Sequence, residues 1–315
     1  MDVFDAVYQN NIQALREYLE TNDVNVINQR GMSLLHYAII FNSTEMFDIL
    51  IDSYININIQ DSFGDTPMHT AIVNNKLGFL KSLIRHGANP TIKNNDGQTP
   101  LYKACMLGRE AMVYLLLESQ SLNLYECDSK HETIFMALIR SRSMELLEKL
   151  ALDDRIVDVK NCFGEAPLHI AAKNGDIRVC SYLIKQHAFV NIKNNSKETP
   201  LFYAVRNEHR EVIELLLANG ALLDCKSSFG DTVYNMVPTY DLQSFINEKS
   251  ERHRTYLYSS NFPLHYAILI ESLPLIRSSL SIRNINRRDS FGYTPLELAI
   301  KLENSEIEKL IKENL

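Results

Sequence analysis

The chain repeats one short motif at a nearly constant spacing, and this period limits the possible folds more than any other feature. The motif has the form Gly-x-Thr-Pro-Leu-His-x-Ala, and its clearest copies begin at Gly31, Gly64, Gly97, Gly164 and Gly292. The third position of the motif, which we call the threonine slot, recurs at steps of 30 to 34 residues. The residues in this slot are Ser33, Thr66, Thr99, Thr133, Ala166, Thr199, Thr232, Phe262 and Thr294. The period predicts nine similar stacked units, whereas 315 residues alone would suggest two globular domains.

Each unit predicts two short helices. The first begins at the Thr-Pro pair, because proline suits the first helical position and the hydroxyl group can cap the helix. The second begins thirteen residues after the threonine, with apolar residues at i, i+1, i+4 and i+5, as in Phe79, Leu80, Leu83 and Ile84. Glycines such as Gly87 end these second helices. One face of every second helix is therefore expected to be buried.

The motif, the period and the glycine-ended second helix resemble those of the ankyrin-repeat family. The resemblance covers nearly the whole chain and implies an all-α solenoid of helix-turn-helix units with short hairpin-like turns. We expect an N-terminal helical cap at residues 1–25, repeats 1–7 at 26–246, an irregular seam at 247–260, and repeats 8–9 at 261–315. The last helix should act as a capping helix, since Glu308 and Lys312 replace apolar residues on its outer face.

Two segments depart from the pattern. In the fourth repeat His131 takes the place of the turn glycine and Leu138 that of the small alanine, so we expect locally altered curvature. The seam is three residues short and lacks a helix-ending glycine. It is either an irregular loop or a partner contact made by Arg252, Arg254, Tyr256 and Tyr258.

Composition excludes several classes of protein. The net charge is −7 and no basic run is present, which argues against nucleic-acid binding. The apolar stretches are too short to span a membrane, and the N-terminus lacks the pattern of a secretory signal. Five cysteines without C-x-x-C spacing indicate neither a disulfide framework nor a zinc site. We expect a cytoplasmic monomer; delivery into a host cell as a microbial effector is a second possibility.

The nine histidines do not indicate an enzyme. His36, His69, His169 and His265 share one slot of the motif, where the resemblance implies hydrogen bonds that tie neighbouring turns together. No phosphate-binding loop, GxSxG or HExxH motif occurs. We therefore predict no catalytic residue, no cofactor and no metal site.

The resemblance also implies where a partner would bind: beside the turn glycine, and seven and eight residues after the threonine. In the first three repeats these helix positions are mostly apolar, and include Ile40, Phe41, Val73, Met106 and Leu107. In the next three repeats they include Arg140, Lys173 and Arg206. The turn tips carry Phe63, Phe163, Phe229 and Phe291, which either pack on a neighbouring turn or anchor a partner.

These positions favour a non-enzymatic scaffold that binds a partner protein in the concave groove. The strongest candidate patch is Phe41, Phe63, Met106 and Leu107, because exposed apolar area of this size marks partner sites. The alternative is recognition of a small anionic ligand or nucleotide by the basic central repeats. An acidic line of turn residues should run beside that basic centre and consists of Asp65, Glu132, Glu165, Glu198 and Asp231.

Overall fold

The computed structural model describes residues 2–119, 126–150, 156–249, 262–280, 282–289 and 292–315. In these ranges the regular structure is helical, apart from two isolated β-bridges that pair Ile27 with Ser33 and Cys127 with Thr133. The predicted all-α repeat fold is confirmed. The chain divides into two compact units, Met1–Ala151 and Leu152–Leu315.

The first unit is a stack of paired helices. First helices lie side by side in the order α1, α3, α5, α7 and α9, while α2 packs on α4 and α6 on α8. The helices are α1 (Val3–Tyr8), α2 (Ile12–Leu19), α3 (Leu34–Ile40), α4 (Thr44–Asp52), α5 (Pro67–Val73), α6 (Leu77–Arg85), α7 (Pro100–Met106), α8 (Glu110–Ser119), α9 (Ile134–Arg140) and α10 (Met144–Lys149).

The core of this unit lies where the apolar pattern predicts it. Phe79, Leu80 and Leu83 of α6 are buried, as are Met112 and Val113 of α8. Each such side chain contributes roughly 1.5–3 kcal/mol when it leaves water. Because every helix is only two or three turns long, this burial between neighbouring pairs supplies most of the helical stability.

The second unit begins with the same arrangement. Helix α11 packs on α13, and α12, α14 and α15 follow one another in the second layer. The helices are α11 (Pro167–Asn174), α12 (Ile177–Lys185), α13 (Pro200–Arg206), α14 (Arg210–Ala218), a 3-10 helix (Val233–Met236), α15 (Tyr240–Lys249), α16 (Pro263–Leu269), α17 (Leu273–Ser279), α18 (Ile282–Ile285), α19 (Pro295–Lys301) and α20 (Ser305–Lys312).

The seventh repeat has only one 3-10 turn in place of a first helix. Pro238 disfavours the helical conformation at Val237, whose ψ of 118° ends the turn. Helix α15 nevertheless stacks on α14, with Leu242 and Ile246 buried and Lys249 paired to Glu214 at 2.9 Å. Residues 250–260 of the predicted seam, including Arg252, Arg254, Tyr256 and Tyr258, lie outside the described residues.

Residues of α16 lie against the loops that follow α12 and α14. The ammonium group of Lys193 donates to the carbonyl oxygen of Leu269 at 3.0 Å and pairs with Glu271 at 2.9 Å. Lys197 pairs with the same carboxylate at 2.7 Å. The Tyr266 hydroxyl donates to Asp224 at 3.0 Å. The C-terminal helices of this unit are thus bound to its earlier repeats by polar contacts that the repeat period does not predict.

A second contact of the same kind involves Lys301, at the end of α19. Its ammonium group pairs with Asp158 at 2.6 Å. It also lies 5.3 Å from the ring centroid of Phe189 and 5.2 Å from that of Tyr293. The two rings meet edge to face at 5.9 Å, so a lysine is held by a carboxylate and an aromatic pair together.

We predict that Glu271→Gln destabilises the docking of α16. Lys193 is only 7% exposed, and losing one partner of such a pair leaves a charge without compensation, at an expected cost of about 2–3 kcal/mol. Hydrogen exchange of the Pro263–Leu269 amides should become at least tenfold faster. Glu303→Gln is the matched control, since Glu303 is 70% exposed in its pair with Lys160 and should cost less than about 1 kcal/mol. Equal effects of the two variants would contradict the prediction.

His131 adopts φ +58°, the left-handed conformation of the turn glycine that it replaces. Because this conformation strains a residue with a side chain, we predict that His131→Gly raises the free energy of unfolding by about 0.5–1 kcal/mol. Urea denaturation of the two proteins measures the difference. The reverse change, Gly97→His, should destabilise strongly, because a Cβ atom there would lie 2.7 Å from the backbone nitrogen of Ser129. No gain from His131→Gly would show that the strain is absorbed elsewhere.

Candidate functional site

Four buried histidines each tie the start of a first helix to the next turn. In the first repeat Nδ1 of His36 accepts a hydrogen bond from the backbone N–H of Ser33 at 3.1 Å, and Nε2 lies 3.0 Å from the carbonyl oxygen of Asp65. His69 makes the same pair of contacts, with Thr66 and Gln98. One nitrogen accepts and the other donates, which requires the neutral imidazole.

The same link recurs in the second unit. Nε2 of His169 lies 3.0 Å from the carbonyl oxygen of Glu198, and that of His265 lies 2.7 Å from the carbonyl oxygen of Tyr293. Burial lowers the pKa of His169 to about 4 against the opposing effect of its bond to Glu198. Burial likewise lowers the pKa of His36, His69 and His265. The predicted structural role of the four histidines is confirmed.

The third repeat replaces the histidine with Tyr102. Its buried hydroxyl donates to Asp128 of the next turn at 3.2 Å, so it makes the same connection with a different donor. Burial, together with the charges of Asp128 and Glu132, raises the pKa of Tyr102 above its usual value. Sequence reasoning missed this residue, although its place in the histidine slot is visible in the motif.

Four aromatic rings form an open cleft on the first unit, which we name the aromatic cleft. Phe4 meets Tyr37 edge to face at 4.9 Å, Tyr8 meets Phe41 edge to face at 4.9 Å, and Tyr37 lies 5.5 Å from Phe41. The cleft has a volume of about 860 Å³, and Asp2, Asp5, Tyr18, Ile27, Asn28 and Arg30 are among its other lining residues.

The four rings belong to α1, to α3 and to Phe41, the residue that ends α3. Phe4 and Tyr8 are one turn apart on α1, while Tyr37 is one turn before Phe41 at the C-terminus of α3. Residues i and i+4 share a helix face, so each helix presents two rings to the other. Asn28 donates to the Tyr37 hydroxyl at 3.1 Å, which fixes that ring against the first turn.

One member of the predicted apolar patch lines the aromatic cleft. Phe41 is 41% exposed and lines the aromatic cleft, together with Tyr8 at 62%. Phe63, Met106 and Leu107 are not among the residues that line it. Phe63, Val73 and Leu107 are exposed, and Ile40 and Met106 are half-buried. Sequence reasoning missed Tyr8 and Tyr37, although the i, i+4 aromatic spacing on α1 and α3 could have indicated them.

The predicted basic centre is largely neutralised by the acidic line beside it. Arg140 donates to both carboxylate oxygens of Glu132, at 2.5 and 3.0 Å. Arg206 makes a corresponding ion pair with Glu198. Lys173 is exposed at the end of α11. The two arginines are therefore held as ion pairs within their own repeats.

The turn-tip phenylalanines are exposed. Phe63, Phe163 and Phe229 have exposed fractions of 68%, 56% and 84%. The three rings are therefore not buried against neighbouring turns. Phe291 lies outside the described residues.

The buried cysteines are chemically protected. Burial raises the pKa of Cys105 and Cys180 to about 12 and that of Cys225 to about 11, so these thiols remain protonated. Cys162 is exposed. Within the described ranges, no group of three or more His, Cys, Asp or Glu residues is placed to hold a metal ion. In the same part of the chain, no helix has the length and apolarity needed to cross a membrane.

Comparisons with known proteins agree with this architecture. The family profile for ankyrin repeats in three copies matches residues 3–94, 73–161 and 134–227, so the chain belongs to the ankyrin-repeat family. The chain is similar in fold to the crystal structure of the ankyrin repeat domain of Bcl-3, described as a unique member of the IkappaB protein family. The match has a TM-score of 0.56 and 21% identity, and covers 70% of this chain and all of that one. No curated protein sequence matches the chain.

We predict that the buried histidines make stability depend on pH between about 6.5 and 4. The pKa of His169 is lower in the folded state than in the unfolded chain, so below pH 6.5 the unfolded chain binds the extra proton and stability falls until about pH 4. This one residue should account for roughly 3 kcal/mol. Chemical denaturation from pH 7.5 to 4 measures the loss.

The variant His169→Gln should be less stable at pH 7 and should lose less of its stability on acidification. His86→Gln, at an exposed helix end, is the control and should retain the wild-type pH profile. A pH profile unchanged by His169→Gln would show that other groups cause the acid sensitivity.

Proposed function

We propose that this protein is a non-enzymatic scaffold that binds a partner protein on the groove face of its first unit. The observation that carries the proposal is the exposed apolar and aromatic surface on the first helices and turns there, with Tyr8, Phe41, Phe63, Val73 and Leu107. These side chains stand on α1, α3, α5 and α7 or on the turns beside them. Apart from Tyr8, which belongs to the N-terminal cap, they occupy the positions through which ankyrin repeats contact their partners.

Rigidity supports this role. The histidine-to-carbonyl bonds and the buried second helices fix the backbone before a partner arrives, so binding orders only a few side chains. Affinity then depends on a small number of buried anchors. Ankyrin repeats in general mediate protein–protein interaction. We propose in addition that the protein acts in the cytoplasm as a monomer.

The alternative, an anionic ligand at the basic centre, has less support. A guanidinium group whose charge is already compensated by a carboxylate attracts a phosphate less strongly than an uncompensated one, although some of its five N–H donors remain available. Arg140 and Arg206 are both in this state. The exposed rings of the first unit are not compensated in this way.

We predict that Phe41→Glu together with Met106→Glu abolishes partner capture. Binding would remove two carboxylates from water at the interface, and the burial of unpaired charges is unfavourable. Affinity purification with mass spectrometry compares the double variant with wild type. The control, Tyr54→Glu with Tyr240→Glu, adds the same charge at tyrosines that are 96% and 89% exposed away from the groove positions. Circular dichroism and melting temperature should be nearly unchanged in both. Recovery of the same partners by Phe41→Glu with Met106→Glu would rule out this face.

A further inference from the structure

We propose that the aromatic cleft binds a basic segment of a partner protein, with an arginine or lysine side chain seated against Tyr8 and Phe41. The inference rests on the proposed function and adds the chemical class of the partner. Three observations support it: the distribution of charge along the chain, the exposed rings with carboxylates beside them, and a similar arrangement elsewhere in this protein that already holds a lysine.

The negative charge of the protein is concentrated at its N-terminal end. Residues 1–65 contain ten acidic residues and two basic ones, Arg16 and Arg30, and so carry −8. The remaining 250 residues carry 29 acidic and 30 basic residues, or +1. The helices and turns that build the aromatic cleft all come from the acidic segment. The field there attracts a cationic partner and repels an acidic one.

The cleft itself combines rings with carboxylates. Tyr8 and Phe41 are both exposed, so their rings remain accessible to a ligand. A cation is attracted to the face of an aromatic ring, most strongly where water is partly excluded. Asp2 and Asp5 line the same cleft, while Arg30 is the one basic residue among its described lining residues. The rings offer apolar contact to the aliphatic stem of a lysine or arginine side chain, and the carboxylates complement the positive charge at its end.

The second unit shows that this combination holds a lysine. The Lys301 ammonium group lies about 5 Å from the ring centroids of both Phe189 and Tyr293 and pairs with Asp158 at 2.6 Å. The aromatic cleft has the same components, an edge-to-face ring pair at 4.9 Å and neighbouring carboxylates. The residues described as lining it include no lysine. A lysine or arginine from another chain would complete the arrangement.

Synthetic peptides test the proposal directly. The probes are (Gly-Ser-Arg)₃, (Gly-Ser-Leu)₃ and (Gly-Ser-Glu)₃, titrated into the full chain by calorimetry at 0.15 M salt. We expect the arginine peptide to bind most tightly and the glutamate peptide to give no heat. Tighter binding of the leucine peptide would identify an apolar occupant and overturn the proposal. Equal binding of the arginine and glutamate peptides would overturn it as well.

Variants locate the binding. Tyr8→Ala with Phe41→Ala should weaken binding of the arginine peptide about tenfold, since two cation–ring contacts are lost. Tyr54→Ala with Tyr240→Ala removes two other exposed rings, and its affinity for the arginine peptide should stay within about twofold of wild type.

Charge variants test the carboxylates. Asp5→Lys reverses a charge without changing the rings and should abolish binding of the arginine peptide. Asp48→Lys, at an exposed position on α4, should not abolish it. An affinity that Tyr8→Ala with Phe41→Ala and Asp5→Lys leave unchanged would overturn the proposal.

The outcomes also separate this inference from the proposed function. If the arginine peptide does not bind the cleft but Phe41→Glu with Met106→Glu still loses its captured partners, the groove is the partner site and only the basic-segment inference is wrong. If that double variant keeps its partners while the peptide binds at Tyr8, the proposed partner site is wrong. Thermal melts of every variant confirm that each remains folded.

Discussion

The hydrogen bond from a buried imidazole to the backbone of the next turn is the interaction on which the rest of the structure depends. Through it His36, His69, His169 and His265 each join the start of a first helix to a carbonyl oxygen 28 or 29 residues further along the chain. The bond joins neighbouring turns through Nε2, and in His36, His69 and His169 Nδ1 accepts a second bond from the backbone at the start of the helix. Because this pair of bonds requires a neutral ring, it also makes the fold sensitive to acid.

Much of the fold could be predicted because its causes are local and repeated. Proline at the helix start, the apolar faces of second helices such as Phe79 and Leu80, and the histidine slot all occur within one period. Each copy therefore supports the interpretation of the others. The shortened first helix at Val233–Met236 has an equally local cause in Pro238, although the period predicts an ordinary first helix there.

Two polar contacts of the second unit were less predictable because they join residues that no period relates. Glu271 meets Lys193 across 78 positions, and Lys301 meets Asp158 across 143. The sequence predicted Arg140 as a partner contact and Glu132 as part of an acidic line beside it, but only their geometry shows that they neutralise each other. Tyr8 lies in the helical cap, outside every copy of the motif, so the carried-over positions could not include it.

The positions predicted to contact a partner differ in exposure between the last two repeats and the early ones. Leu269 and Lys301, seven residues after the threonine slots of the last two repeats, contact the protein's own loops. Phe41 and Leu107 of the early repeats are exposed instead. We propose that a partner covers this exposed face. Hydrogen exchange of the free and partner-bound protein tests it most directly. Slower exchange in α1, α3 and the turn at 26–31 is the predicted result; protection confined to α4 and α6, or to the second unit, would contradict it.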